Sequence, residues 1–191
     1  INSDGEIINA ADKIWLVPFG EYMPFADLLS RIGVEKLVRS VSAFSAGSQR
    51  NLLSTQNGSA SALPLICYEI IFPGAAGYGN TDADFILNVT NDAWFGDTPG
   101  PYQHFRQAQL RAVEAGRPLV RAANNGISGV IDAYGRIIDA FALNATGALD
   151  VTIPHQKVSA PTGRPETAGL IVALLLTLWS SLSFFINRRP D

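Results

Sequence analysis

The sequence is poor in the side chains that form disulfides or bind metals. Its 191 residues include one cysteine, two histidines and one methionine. One cysteine cannot form an internal disulfide, and the two histidines lie far from each other and from that cysteine. We therefore predict no disulfide framework, no metal site and no cofactor.

Basic residues are not in excess either. The sequence has 14 lysines and arginines against 17 aspartates and glutamates, which gives a formal net charge of -3. Proteins that bind nucleic acid present a basic face, so this balance argues against a nucleic-acid partner. With 47% hydrophobic residues, the chain is long enough for one globular domain with a substantial core.

Charge is missing altogether from one long segment near the C-terminus. Ala168–Ile186 contains 19 residues without a charged side chain or a proline. As a helix it would extend about 28 Å, close to the hydrocarbon thickness of a bilayer. The alternative is a buried helix of a soluble domain, but such helices are rarely apolar on all sides over this length. The segment therefore predicts one transmembrane helix, over residues 168–187.

The flanks of this helix divide the rest of the chain. Residues 155–167 are polar and contain proline, which predicts a linker, and residues 188–191 predict a short tail. Arg188 and Arg189 favour the cytoplasmic side for this tail. Residues 1–154 would then form a domain on the opposite side of the membrane.

The first residues read as the second half of a hairpin. The sequence "INSDGEIINAADK" has no initiator methionine and has a turn signal at "SDGEI" without a strand before it. We expect the chain to be a C-terminal fragment of a longer protein.

Short apolar runs alternate with turn signals between residues 1 and 160, a pattern typical of a mixed α/β domain. The sequence "IDAYGRIID" places a glycine-containing turn between two alternating runs and predicts a hairpin. The predicted strands are Trp15–Val17, Leu63–Cys67, Phe85–Thr90, Leu119–Ala123, Ser128–Asp132, Ile137–Phe141 and Leu149–Ile153. The predicted helices are Pro24–Ile32, a turn after Phe72, and Pro101–Gly116, which has Phe105, Ala108, Ala112 and Ala115 on one face.

The one cysteine lies at the end of a predicted strand, in "LICYE". Most buried cysteines act only as small apolar side chains, and this interpretation stays open for Cys67. A strand that ends in a tight turn can instead lift a nucleophile out of the sheet and towards backbone N–H groups. Tyr68 and Glu69 interrupt the apolar run at this point, which favours the second interpretation.

A reactive thiolate needs a base or a positive charge nearby. His104, at the start of a predicted helix, and His155, in the linker, are candidate partners without a local signature. Lys13 precedes "IWLVPFGE" and is either a surface residue that extends its charge into water or a functional cation. Glu21 follows in a turn and by itself reads as an exposed loop carboxylate.

Taken together, these segments resemble a known family. The motifs "KIWLVPFGEYMP", "LICYEIIFP", "LNVTNDAWFG" and "GPYQHFRQAQLRAVEAGRPLVRAANNGISGVID", followed by a membrane helix, resemble the apolipoprotein N-acyltransferases. These enzymes are the membrane-bound branch of the nitrilase, or carbon-nitrogen hydrolase, superfamily. The motifs occur in the same order and cover nearly the whole chain.

The resemblance implies a fold and a catalytic triad. The implied fold class is α/β, a nitrilase-like α-β-β-α sandwich of which residues 1–154 are the C-terminal part, followed by one transmembrane helix. Cys67 matches the nucleophile of a Glu-Lys-Cys triad, and Lys13 matches its lysine. The general-base glutamate lies upstream of the lysine motif in the family, and no residue of this sequence matches it. We therefore expect no acyltransferase activity from this chain by itself.

Further site residues follow from the same resemblance. Glu21 matches a second glutamate that the family needs for activity. Tyr68 and Glu69 match the two sensitive residues after the nucleophile, and Trp94 matches a tryptophan that handles the acyl chain. The aromatic residue that the family has two positions before the lysine is Ala11 here, a departure that bears on how the lysine packs.

The resemblance also implies the reaction and its location. A fatty acyl chain passes from a phospholipid to the cysteine as a thioester, and then to the N-terminal amine of a diacylglyceryl-cysteine lipoprotein. The partners are thus a phospholipid donor, a diacylated lipoprotein acceptor and the membrane. The implied location is the bacterial inner membrane, with the catalytic domain in the periplasm and the C-terminus in the cytoplasm.

Two other functions stay open at this point. A nitrilase-superfamily amidase for a small soluble amide would share the sandwich and the triad, but would have no reason to carry the apolar run. A membrane-anchored interaction module with a degenerate site would account for the unmatched glutamate.

Overall fold

The computed structural model describes residues 2–31, 44–55, 58–77, 82–159 and 165–186. The chain divides into two compact units, Ile1–Ala160 and Pro161–Asp191. Among the described residues, the first unit contains a sheet and two helices, and the second contains one helix.

A mixed sheet forms the centre of the first unit. Within the described residues it has six strands, which follow one another across the sheet in chain order from β1 to β6. The inner strands β2, β3 and β4 run parallel, whereas the pairs β1–β2, β4–β5 and β5–β6 run antiparallel. The strands are β1 Leu53–Ser54, β2 Ser61–Ile66, β3 Phe85–Asn91, β4 Leu119–Asn124, β5 Gly129–Ile131 and β6 Ile137–Ala140.

Local sequence accounts for the inner and outer parts of this sheet. Four successive residues of β2, "ALPL", are buried, as is typical of a parallel strand covered on both faces. The hairpin predicted from "IDAYGRIID" is confirmed as β5–β6. Its turn is closed by Asp132, whose Oδ1 accepts the backbone N–H groups of Tyr134 and Arg136, each at 2.9 Å. Gly135 supplies the positive φ of 81° that this turn requires.

The helices described in the first unit are α1 Ala26–Arg31 and α2 Gly100–Ala115. Helix α2 begins with a proline in its first turn and ends at Gly116, which has a left-handed backbone with φ 61°. The predicted apolar face of α2 is confirmed, because Phe105, Ala108, Ala112 and Ala115 are all buried. This face and the sheet enclose the core, which also contains Leu63, Leu65, Ile70, Ala75, Ala76, Ala83, Ile86, Leu119, Ile127 and Ile131.

Several predicted segments have a different structure. Trp15–Val17 is irregular, with a bend at Trp15, and is not a strand. Carboxylates take the backbone N–H groups that a neighbouring strand would have bonded: Glu69 binds that of Trp15, and Glu21 binds that of Val17. Leu149–Ile153 is irregular rather than a strand.

Two helical predictions also need correction. The helical turn predicted after Phe72 lies before that residue, as a 3₁₀ turn at Cys67–Ile71. Helix α1 is shorter than the predicted Pro24–Ile32, and Ile32 lies outside the described residues.

The second unit contains helix α3, Pro165–Ile186. The hydroxyls of Thr177 and Ser181 bond back to carbonyls one turn earlier, at 2.8 and 2.9 Å. Among the residues that the structure describes, no helix combines the length and apolar character needed to cross a membrane. Residues 160–164 of the predicted linker and residues 187–191, which include the predicted tail, lie outside the described residues.

Candidate active site

Cys67 lies where β2 ends, at the first residue of the 3₁₀ turn Cys67–Ile71. Its φ is 53°, a left-handed conformation that a side chain other than that of glycine adopts at a cost of roughly 1–2 kcal/mol. The strand end is therefore a sharp, strained turn of the kind that presents a nucleophile beyond a sheet. The thiol is half-buried and is not in a disulfide. The predicted position of Cys67 at a strand end is thus confirmed, while its role as nucleophile stays a prediction.

The carboxylate of Glu69 is fully buried two residues after the cysteine and joins two parts of the chain. It accepts the N–H of Ile66, just before the cysteine, at 2.7 Å. It also accepts the N–H groups of Ile14 and Trp15, at 2.8 and 3.1 Å. Because these two residues directly follow Lys13, the carboxylate fastens the lysine segment to the cysteine turn.

Arg50 is the cation that pairs with this buried carboxylate. Its two terminal nitrogens donate to the two oxygens of Glu69, each at 3.0 Å, in a bidentate arrangement. Arg50 also donates to the carbonyl of Pro64 in β2 at 2.8 Å, and it lies over the ring of Trp15. Burial acts to raise the pKa of Glu69, but Arg50 and the three backbone N–H donors outweigh it and hold the pKa below its usual value.

Sequence reasoning missed Arg50, although a signal was present. A glutamate inside an apolar run needs a cationic partner, because an unpaired buried carboxylate is costly. That requirement predicts that some arginine or lysine pairs with Glu69, but it does not say which one. The two residues are 19 positions apart.

Lys13 and Glu21 form an ion pair, with Nζ and Oε1 2.6 Å apart and side chains that are 11% and 25% exposed. The second oxygen of Glu21 accepts the N–H of Val17 at 2.8 Å, so the carboxylate has a fixed orientation. Glu21 is therefore more than an exposed loop carboxylate. It holds the lysine ammonium in place and balances its charge.

Tyr68 and Trp94 have different environments. The ring of Tyr68 packs edge-on against Phe72, with centroids 5.6 Å apart, and Phe72 in turn packs edge-on against Trp15 at 4.9 Å. These contacts add an aromatic layer to the junction between the lysine segment and the cysteine turn. Trp94 lies in a second 3₁₀ turn, Asp92–Phe95, and is 85% exposed. Its role in acyl handling stays a prediction.

A second buried polar group was also missed by sequence reasoning. It consists of Asn88 in β3, Asp92 after β3, His104 in α2 and Arg121 in β4, all of which are buried. His104 was considered as a partner of the cysteine, but its Nδ1 lies 2.8 Å from Oδ1 of Asp92. The other histidine, His155, is exposed.

Cys67 lies on its strained turn at the carboxyl end of a parallel strand, and ligands of α/β sheets bind at such strand ends. A family model described as carbon-nitrogen hydrolase matches residues 1–160. The chain belongs to the carbon-nitrogen hydrolase family.

Curated relatives of this carbon-nitrogen hydrolase chain have one name in common. This chain is 52% identical to the apolipoprotein N-acyltransferase of Brucella melitensis biotype 1, over 99% of the chain and 36% of that relative. It is 55% identical to the apolipoprotein N-acyltransferase of Agrobacterium fabrum, over 80% of the chain and 29% of that relative. The chain thus spans about a third of the length of the curated relatives it matches.

Solved structures similar to the chain carry related names. One is XC1258 of Xanthomonas campestris, a CN-hydrolase superfamily protein, with 22% identity, a TM-score of 0.45, and coverage of 69% of this chain and 47% of that one. Another is an amidase from Nesterenkonia sp., with 21% identity, a TM-score of 0.48, and coverage of 73% and 48%.

Proposed function

We propose that this chain is the catalytic part of an apolipoprotein N-acyltransferase. It transfers a fatty acyl chain from a phospholipid to the N-terminal amine of a diacylglyceryl-cysteine lipoprotein. The single observation that carries this proposal is the 52% identity over 99% of the chain to a relative of that name. The geometry around Cys67 supports it, because the buried carboxylate of Glu69 bonds both the residues after Lys13 and the residue before Cys67.

In the first half-reaction, the thiolate of Cys67 attacks the ester carbonyl of the phospholipid. A new bond forms between Sγ and the acyl carbon, and the ester C–O bond breaks to release a lysophospholipid. The proton of the thiol passes to the upstream glutamate of the family's triad and then to the leaving alkoxide. Lys13, held by Glu21, and the backbone N–H of Tyr68 stabilise the oxyanion of the tetrahedral intermediate.

In the second half-reaction, the lipoprotein amine attacks the thioester on Cys67. The amide C–N bond forms and the C–S bond breaks, so the thiolate is regenerated. The same glutamate takes the proton of the amine. The thioester is transferred to the amine rather than hydrolysed when the site admits a lipid amine more readily than water. A site mounted on the membrane favours this.

A chimera tests this function directly. In it, the chain replaces the segment that it matches in the Brucella melitensis relative, which supplies the rest of that protein. We expect the chimera to add one acyl chain to a diacylated lipopeptide, as detected by mass spectrometry. Hydrolysis of small amides without acyl transfer would instead favour the amidase, and inactivity in both assays would favour the interaction module.

We propose in addition that the run Ala168–Ile186 inserts into the membrane as the anchor of the catalytic unit. Its lack of charge supports this, because charged residues are what make insertion costly. Arg188 and Arg189 directly after the run favour a cytoplasmic C-terminus and a catalytic unit in the periplasm, where lipoprotein maturation would take place.

Membrane anchoring predicts how charge in the run changes partitioning. The full chain should float with phospholipid vesicles, whereas a Leu175→Arg/Leu176→Arg variant should stay in the aqueous fraction. Each arginine at the centre of a spanning helix costs about 3 kcal/mol. Ser3→Arg/Asn51→Arg is the matched control, since both positions are exposed in the first unit. Flotation of the leucine variant at the level of this control would refute the anchor.

A further inference from the structure

Two members of the buried polar group, Asn88 and Arg121, lie on one row across the parallel strands. Leu65 of β2, Asn88 of β3 and Arg121 of β4 are paired in register. Residues paired in this way point to the same face of a sheet, here the face covered by α2. Cys67 is two residues beyond Leu65, at the carboxyl end of the same strand. The row therefore leads from Arg121 to the strand that carries the cysteine.

Hydrogen bonds connect the members of this row in a fixed direction. Nδ2 of Asn88 donates to the carbonyl of Leu65 at 2.8 Å, and Oδ1 of Asn88 accepts from a terminal nitrogen of Arg121. An amide turned the other way would oppose oxygen to oxygen and N–H to N–H, so its orientation is unique. A change in the position of Arg121 would therefore also change the position of Asn88 and of Leu65 at the end of β2.

Arg121 in turn is held by Asp92, with their nitrogen and oxygen 2.7 Å apart and both side chains fully buried. Nδ1 of His104 donates to the other oxygen of Asp92 at 2.8 Å, because a carboxylate only accepts. Gly126 closes over this carboxylate so tightly that an added Cβ would clash with Asp92 Oδ2. The arginine is thus held by Asp92 as well as by Asn88.

A buried ion pair of this kind needs a reason other than stability. Replacing such a pair with apolar side chains of similar volume is often neutral or stabilising, since two charges must otherwise be removed from water. Burial acts to lower the pKa of Arg121, and the charge of Asp92 opposes this. The guanidinium also bonds Asn88, which bonds the carbonyl of Leu65 two residues before Cys67, so the ion pair is connected to the end of β2.

We propose that Arg121 is a positioning residue for Cys67. Through Asn88 it fixes the end of β2 and thereby the position of the thiol. This proposal concerns the same cysteine as the proposed function and rests on its role as nucleophile. The test below uses alkylation of Cys67 rather than acyl transfer, so that the two can fail independently.

The chain offers a clean readout, because Cys67 is its only cysteine. All alkylation of the folded chain by iodoacetate, an anion, or by iodoacetamide, a neutral reagent, therefore occurs at this thiol. A loss of packing would slow both reagents alike. A loss of nearby positive charge would slow the anion more, so the ratio of the two rate constants separates the two effects.

The decisive variant is Arg121→Met/Asp92→Asn, which removes both buried charges and leaves none unpaired. Because one positive and one negative charge are removed together, we expect it to unfold within a few degrees of the wild-type temperature and to lower both rate constants severalfold without changing their ratio. Arg117→Met is the matched control, since Arg117 is also buried but its guanidinium binds carbonyls at Ala83 and Gly116, before the start of β4. It should leave both rate constants unchanged.

Two results would overturn the proposal. One is a folded double variant with the wild-type ratio and the wild-type iodoacetamide rate. If the double variant does not fold, Arg121→Lys decides, because it keeps the charge facing Asp92 but loses the fork that also reaches Asn88. We expect it to keep the ratio and to lower the iodoacetamide rate severalfold, and an unchanged rate would contradict the positioning role.

Discussion

Replacing Cys67 with serine is expected to abolish the covalent acyl-enzyme in the chimera with the Brucella melitensis relative. The wild-type chimera should accumulate an acyl adduct on this chain that hydroxylamine releases, as a thioester requires. A serine hydroxyl ionises far less readily than a thiol, so acyl transfer should fall by at least about 10³-fold. The measurement is the mass of the intact protein after incubation with phospholipid, before and after hydroxylamine.

The conformation of the cysteine provides a control for this experiment. Because φ at Cys67 is 53°, glycine fits the position without strain, and Cys67→Gly should be at least as stable as the wild type to thermal unfolding. A folded glycine variant without adduct attributes the loss to the thiol rather than to the fold. If hydroxylamine still released an acyl chain from either variant, the nucleophile would have to be another residue.

Local sequence patterns accounted for the elements that depend on local interactions. The face of α2 follows from apolar spacing within one helix, and the strands that became β2, β3 and β4 follow from short runs bounded by turns. The end of β2 at Cys67 could also be predicted, because Tyr68 and Glu69 break the apolar run. In each case the information lies within one continuous segment.

Contacts between distant segments could not be predicted in this way. Trp15–Val17 has the composition of a strand, but Glu69, 54 positions from Trp15, takes the backbone N–H that a neighbouring strand would have used. The pairing of Glu69 with Arg50 is likewise invisible in either segment alone. A buried partner of Arg121 could have been expected from the sequence, since this residue occupies an inward position of a predicted strand, where a charge requires such a partner.

The second large effect is expected from removing the charge of Glu69. Glu69→Gln keeps the shape of the side chain, but an amide has a single acceptor oxygen and cannot satisfy both Arg50 and the three backbone N–H groups. Because one partner of a buried pair is then left uncompensated, the free energy of unfolding should fall by about 3–5 kcal/mol. Chemical denaturation of the full chain measures this change, with Glu6→Gln, an exposed glutamate, as the matched control.

The loss should depend on pH in a defined direction. The folded-state pKa of Glu69 lies below the ordinary value of a glutamate, so the charged form stabilises the fold. This contribution is complete above the unfolded pKa and disappears as the pH falls through the folded pKa. The difference in unfolding free energy between the wild type and Glu69→Gln should therefore be constant near neutral pH and shrink only in acid. A difference that grows as the pH falls would contradict the ionised state of this carboxylate.

Glu69→Gln should also impair the site itself, because the carboxylate holds the residues after Lys13 against the turn that carries Cys67. Release of this clamp misplaces the oxyanion-stabilising ammonium, and displacements of about 1 Å cost on the order of 10²-fold in rate. In the chimera, Arg50→Met tests whether the loss of rate comes from a misplaced Glu69 carboxylate. This variant keeps Glu69 but removes its bidentate contact with Arg50. Both variants should slow formation of the acyl adduct on Cys67 while leaving its release by hydroxylamine unchanged. A variant that loses several kcal/mol of stability and still acylates at the wild-type rate would show that Glu69 serves the fold alone.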